Sequence, residues 1–193
     1  SILSEYIQDE EAKEYIHIIE ENTQLLLQLI NDILDLSRIE AGILEFTEGD
    51  MDVNKTLDEM QTMAKLKLPS EVSIRLLPGA DYCIIHTVPK RVRQVLNNYL
   101  SNAIKHTEEG FIDIGYHLPQ EDRIRFFVRD TGCGIPVEKQ EQLMQPFTQI
   151  ADLTKGSGLG LPTCNLMAYK MNGALTLDTS YKKGARFILE IHV

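Results

Sequence analysis

Apolar residues recur along the first forty positions at the spacing of a single helix face. Tyr15, Ile19, Asn22, Leu26, Leu29, Ile33 and Leu36 step by 4, 3, 4, 3, 4 and 3. This is an a/d seam in which Asn22 is the one polar member and a natural register device. Neither Pro nor Gly interrupts the run before Gly42. Glu10, Glu11 and Glu14 near the start and Arg38 near the end suit the helix macrodipole. No other stretch of the chain offers this helix a partner of comparable length. The pattern therefore predicts a dimerising helix. An amphipathic helix packed on its own domain would show a similar stripe, but the unbroken heptad favours pairing with a second protomer.

Beyond Gly42 the pattern changes period repeatedly. Gly42 to Asp50 reads as a hinge and first edge strand, and Val53–Lys67 as a helix with Leu57, Met60 and Ala64 on one face. Val72–Leu77 and Tyr82–His86 read as short strands. Pro89 precedes a helix from Lys90 to His106, which Gly110 ends. Phe111–Leu118 and Arg123–Arg129 alternate like a hairpin pair. A turn at Asp130–Pro136 opens a helix from Val137, and the glycine-rich Lys155–Gly160 opens another that ends near Met171. Ala174–Thr179 and Ala185–Val193 form a last hairpin. Helices gathered on one face of a mixed, largely antiparallel sheet give an α/β two-layer sandwich, preceded by the long dimerisation helix.

Composition narrows the function. The chain has 193 residues, 43% of them hydrophobic and 25% charged, enough for a core without staples. Its net charge of −10 argues against nucleic acid, whose phosphates need clustered cations. Cys83, Cys133 and Cys164 are widely spaced and form no CxxC pair, so neither a zinc site nor a disulfide framework is indicated. The densest apolar run, Leu25 to Leu36, is too short to span a bilayer and is broken by Gln28, Asn31, Asp32 and Asp35.

Three polar elements interrupt this apolar frame. Asn98, Asn102, Lys105 and His106 fall on one flank of a helix. Amide oxygens suit a hard cation such as Mg²⁺, and a nearby Lys balances phosphate charge. Taken alone, a solvated polar face explains them better. Asp130-Thr131-Gly132-Cys133-Gly134-Ile135-Pro136 follows a strand. Its carboxylate could accept from an exocyclic amine and so read adenine, while an ordinary Asp-Thr-Gly turn has the same composition. Gly156-Ser157-Gly158-Leu159-Gly160-Leu161 leads into a helix. Free amides there make an anion site, or a flexible linker. The spacing is neither that of a P-loop nor that of the dinucleotide motif. Met144–Thr154, between the second and third elements, is polar and loop-like, a natural lid.

The order and spacing of these elements resemble the sensor histidine kinases of two-component systems. Gln94 to Thr107 is similar to the family's N box, Asp130–Pro136 to its G1 box, Pro146-Phe147 to its F box and Gly156–Leu161 to its G2 box. Asn31 to Gly42 resembles the second helix of the dimerisation and phosphotransfer domain. The resemblance implies a sandwich of the GHKL (Bergerat) ATPase type. It implies partial dimerisation and phosphotransfer helices over 1–42 and an ATP-binding catalytic domain over 43–193. Carried over residue by residue, Asn98 and Asn102 would hold Mg²⁺ and phosphate, and Lys105 would contact phosphate, with Asn98 and Lys105 the catalytic pair. Asp130 would bind the adenine amine, Gly132, Gly134 and Ile135 would frame the ring, and His106 would stack near it. Phe147 would join the nucleotide-binding residues from the lid. Gly156, Ser157, Gly158, Leu159 and Gly160 would cradle phosphates. The implied reaction moves the γ-phosphoryl of ATP to a histidine nitrogen, for relay to a response-regulator receiver domain. The implied assembly is a homodimer through the N-terminal helix, in the cytoplasmic part of a membrane-anchored bacterial sensor. No contact of this segment with membrane or nucleic acid is implied.

The departures from the family pattern are informative. The acceptor histidine of the family lies in an H box, followed by an acidic residue, a basic residue and Pro. His17 precedes Ile18 and Ile19, and His86, His106, His117 and His192 match nothing in that box. The chain is therefore expected to bind ATP without phosphorylating itself, the acceptor segment being missing. Met144 stands where the F box has its first Phe, and Ala185 where the family often has Thr. Cys133 is expected to be a packing residue of the turn. Two other readings stay open: a GHKL-type ATPase, and a nucleotide-binding scaffold without turnover. Asn98 speaks against hydrolysis, since an amide cannot act as the base that activates water.

Overall fold

The structure is a computed structural model that describes residues 10–140, 142–143 and 158–193. The heptad run forms one helix, α1 (Glu10–Glu40). A short strand β1 (Gly49–Asp52) leads into α2 (Val53–Lys65). Asp52 caps α2 by accepting from the Lys55 backbone N–H at 3.0 Å. Then follow β2 (Val72–Leu77), β3 (Ile84–Thr87) and α3 (Pro89–His106). Pro89 sits in the first turn of α3, where a missing N–H costs nothing. The remainder is β4 (Gly110–Gln120), β5 (Arg123–Asp130), the four-residue α4 (Val137–Gln140), α5 (Gly160–Lys170), β6 (Ala174–Leu177) and β7 (Arg186–His192).

Five strands form one sheet in the order β2-β4-β5-β7-β6. Only β2 and β4 run parallel; the other pairings are antiparallel. Alternation places Ile112, Ile114 and Tyr116 of β4 on the face that α2, α3 and α5 cover, with Ile124, Phe126 and Val128 of β5 and Leu189 and Ile191 of β7. All are buried. Val92, Val95, Leu96, Tyr99, Leu100 and Ala103 are the α3 side of that interface. The expected two-layer sandwich is thus the observed one.

Three details differ from the sequence reading. The edge strand β1 does not join the main sheet; it pairs antiparallel with β3 as a separate two-stranded ribbon. The second short strand runs Ile84–Thr87 instead of Tyr82–His86, and the Cys83 carbonyl just before it accepts from the Val53 N–H at 2.9 Å. Gly110 does not end α3. The extended Thr107 does, and Gly110, at φ +105°, opens β4.

Candidate functional site

The site is built where β5 and α5 meet α3. One flank of α3 is half-buried and polar, carrying Asn98, Asn102, Lys105 and His106. The Asn102 amide donates to Asn98 Oδ1 at 3.2 Å, so the two side chains form one unit on adjacent turns. His106 titrates below the usual imidazole range, first because it is half-buried and second because Lys105 is beside it. It is therefore a neutral ring at physiological pH.

The turn after β5 is seated on the C-terminal end of α3. The Cys133 N–H donates to the His106 carbonyl at 3.3 Å. A Cβ at Gly132 would lie 2.0 Å from that same oxygen, so glycine is required for the approach. Gly134 adopts φ +70°, and Ile135 packs against the core. Thr131 fastens the turn to β4: its Oγ1 accepts from the Phe111 N–H at 2.9 Å.

Asp130, the last residue of β5, is 5% exposed. Its Oδ1 accepts from Gly132 N–H at 2.9 Å and from Ala185 N–H at 3.1 Å. Among the described residues, Oδ2 has no hydrogen-bond partner. Burial pushes the carboxyl above the usual range, and the two backbone N–H donors pull it partly back. A buried carboxylate with one oxygen anchored and one open can accept a hydrogen bond from a ligand amine.

The glycine-rich stretch approaches from the other side. Gly158 has φ +70°, Leu159 is fully buried, and Gly160 starts α5. A Cβ at Gly160 would lie 2.4 Å from Asn98 Nδ2. The helix start is thus pressed against the Asn98 amide, with its first-turn N–H groups unused by any side-chain cap. Of the residues predicted for the site, Asn98, Asn102, Lys105 and His106 lie on the α3 flank, Asp130, Gly132, Gly134 and Ile135 in the turn that is seated on it at His106, and Gly158, Leu159 and Gly160 at the α5 start that meets Asn98. Phe147, Gly156 and Ser157, with the expected lid, lie outside the described residues.

Sequence reasoning missed the β6–β7 hairpin as part of the site. Besides the Ala185 N–H, its Tyr181 hydroxyl donates to the Asp130 carbonyl at 2.9 Å, and the Asp130 N–H donates to the Ala185 carbonyl at 2.9 Å. These partners are 51 and 55 positions away, beyond any local signal.

Amide oxygens beside an anion-accepting helix start fit Mg²⁺, which takes few protein ligands and keeps water and phosphate oxygens. Among the described residues no group of three His, Cys, Asp or Glu could hold a metal, so a carboxylate-rich or zinc-type centre is not an alternative there. No helix of the described residues is long and apolar enough to cross a membrane.

Comparison with known proteins agrees with this geometry. A hybrid signal transduction histidine kinase B of Dictyostelium discoideum is 33% identical over 98% of this chain and 10% of its own length. The circadian input-output histidine kinase CikA of Synechococcus elongatus is 35% identical over 94% of the chain and 25% of its own. The chain therefore spans only a small part of these curated relatives. Among solved structures, full-length ShkA in complex with AMPPNP superposes with a TM-score of 0.80 at 27% identity, covering 98% of this chain and 40% of that one. Residues 1–42 match the family described as His Kinase A (phospho-acceptor) domain. Residues 87–193, which include every described site residue, match a second family, and the chain belongs to it: the histidine kinase-, DNA gyrase B- and HSP90-like ATPases.

Proposed function

We propose that this chain is the ATP-binding catalytic portion of a sensor histidine kinase, with residues 1–42 contributing part of the dimerisation and phosphotransfer helices and 43–193 the nucleotide domain. The observation that supports this most is convergence. Two separate glycines, Gly132 and Gly160, bring the Asp130 turn and the α5 start into contact with the same flank of α3. The open Oδ2 of Asp130 accepts the adenine amine, between walls formed by Gly132, Gly134 and Ile135. The neutral His106 lies beside the base. Lys105 and the backbone amides at the start of α5 receive the phosphates. Asn98 and Asn102 would hold Mg²⁺ through their amide oxygens, and Asn98 Oδ1 keeps a second lone pair beside the one that accepts from the Asn102 amide. When bound, the ion neutralises phosphate charge and orients the γ-phosphoryl in line.

Asn98 and Asn102 position and neutralise, and an amide cannot act as a base toward water. In the proposed reaction the γ-phosphoryl passes from the bridging oxygen of ADP to a histidine nitrogen. That histidine belongs to an acceptor domain, since none of His17, His86, His106, His117 and His192 has the acceptor pattern. A response-regulator receiver domain is the proposed next recipient, and a second copy of the chain the proposed partner of α1.

The test supplies the acceptor separately. This chain is incubated with a complete phosphotransfer domain and γ-labelled Mg-ATP. The expected result is label on the acceptor with the acid lability of a phosphoramidate. An acceptor that stays unlabelled while phosphate is released would move the reading to an ATPase. Nucleotide bound but neither transferred nor hydrolysed would leave a scaffold.

A further inference from the structure

The Asp130 carboxylate is not held by its own turn alone. The β6–β7 hairpin closes over it from behind. Gly184 comes so near that a Cβ there would lie 2.2 Å from the Asp130 carbonyl oxygen and 2.6 Å from Oδ1. Ala185 donates its N–H to Asp130 Oδ1 and accepts from the Asp130 N–H through its own carbonyl. The hairpin itself is fixed at its base, where the Ser180 N–H and hydroxyl both donate to Asp178 Oδ1, at 3.0 and 2.5 Å. Tyr181, the next residue, reaches back to the Asp130 carbonyl at 2.9 Å.

Tyr181 is also braced from the open side of the sheet. The Arg129 guanidinium lies 6.0 Å from its ring centroid. Arg129 Nε donates to Asp113 Oδ2 at 2.7 Å, and Asp113 is fully buried. Arg75 completes the cluster with donations of 2.6 and 2.9 Å to the two Asp113 oxygens. A rigid line of contacts thus runs from Asp113 through Arg129 and Tyr181 to the backbone of Asp130.

We infer that Tyr181 is a positioning residue for base selection: its hydroxyl fixes the Asp130 backbone so that Oδ2 points where an exocyclic amine of the purine will lie. The inference rests on the adenine role proposed for Asp130. The position was not among the residues singled out from the sequence. It acts at the carbonyl, not at the carboxylate, so it changes where the acceptor sits without changing its charge.

The test compares ADP with IDP, whose base lacks the amine, by calorimetric titration of the wild-type chain, Tyr181→Phe and Tyr181→Leu. The Phe variant keeps the ring beside Arg129 and removes only the hydroxyl. Wild type is expected to prefer ADP, and Tyr181→Phe to lose about three- to tenfold in ADP affinity with IDP unchanged, the effect of one neutral hydrogen bond. Thermal melts confirm that each variant is folded. Tyr181→Leu gives the same reading if the Phe variant does not fold. An unchanged ADP-to-IDP ratio in a folded variant overturns the inference, as does an equal loss for both nucleotides, which is the signature of a general structural effect. A wild-type chain that binds both alike overturns the adenine role of Asp130 itself, and the inference with it.

Discussion

At Asp130, binding and stability pull in opposite directions. The side chain is 5% exposed and its carboxyl is raised by burial, yet recognition of an amine needs an acceptor there. The folded chain holds this proton more tightly than the unfolded chain does. Its contribution to stability is therefore full while protonated, at a pH below the ordinary carboxylate value, and fades as pH rises through the raised folded-state value. At neutral pH the ionised form is a net cost. Asp130→Asn keeps an oxygen to accept from Gly132 and Ala185 and removes the buried charge. The variant is expected to melt no lower than wild type at pH 7, with the two curves converging below about pH 4. Its ADP affinity is expected to fall by roughly tenfold or more, since a charged acceptor is replaced by an amide. A variant that is destabilised at pH 7 and gains at pH 4 would reverse the assigned sign.

The elements show which physical signals reach the sequence. β2 was legible to its bounds because Val72, Ile74 and Leu76 alternate with Ser73 and Arg75. α3 was legible because its apolar stripe runs its length behind an N-terminal Pro. Gly110 was misread because a glycine after a helix is usually its stop, whereas here it makes room for Thr131 against the β4 start. The glycines of the site were legible as motifs, but their cause was not. Gly132 is a glycine because the turn meets the His106 carbonyl, and Gly160 because α5 meets Asn98. Such contacts exist only once non-neighbouring elements are docked. They separate in a testable way. At Gly160 the obstacle is a side-chain end that can swing aside. At Gly132 it is backbone. Gly132→Ala must therefore lift the turn off α3, losing the Cys133 N–H bond. A loss of about 1–3 kcal/mol is expected from overpacking of this kind, read as a lower urea midpoint at unchanged slope. A midpoint equal to that of wild type would mean the turn is not seated on the helix in solution.

Over the whole molecule, apolar surface is covered unevenly. The open face of the sheet is closed by side chains instead of helices. Phe127 is 2% exposed there because His117 stacks on it at 4.9 Å and Arg186 lies 5.0 Å from its centroid. The long helix α1 has no such cover. Its C-terminal end is docked on the domain, with Ile39 buried and Gln94 donating to Asp35 at 2.6 Å. Farther from the domain the heptad seam is bare: Tyr15, Ile19, Leu26 and Ile33 are 58%, 63%, 58% and 41% exposed. The Asn22 amide turns back to the Ile18 carbonyl at 2.7 Å, so it adds no polar cover to the seam. Packing on its own domain therefore describes the C-terminal end of the helix, and the proposed pairing with a second copy would use the exposed part. Burying one large aliphatic side chain contributes about 1.5–3 kcal/mol. Each seam residue buries twice in a symmetric pair, and with about half of each side chain exposed the four together contribute on the order of 7–13 kcal/mol, comparable to an association cost of about 4–15 kcal/mol. The proposed assembly is therefore a concentration-dependent dimer, expected to sediment as such at high protein concentration. Leu26→Glu combined with Ile33→Glu is expected to give a monomer that still binds ADP, because the proposed nucleotide residues lie on α3, at the end of β5 and at the start of α5 and not on the seam. Sedimentation equilibrium decides it: a dimer that persists in the double variant would place the interface elsewhere.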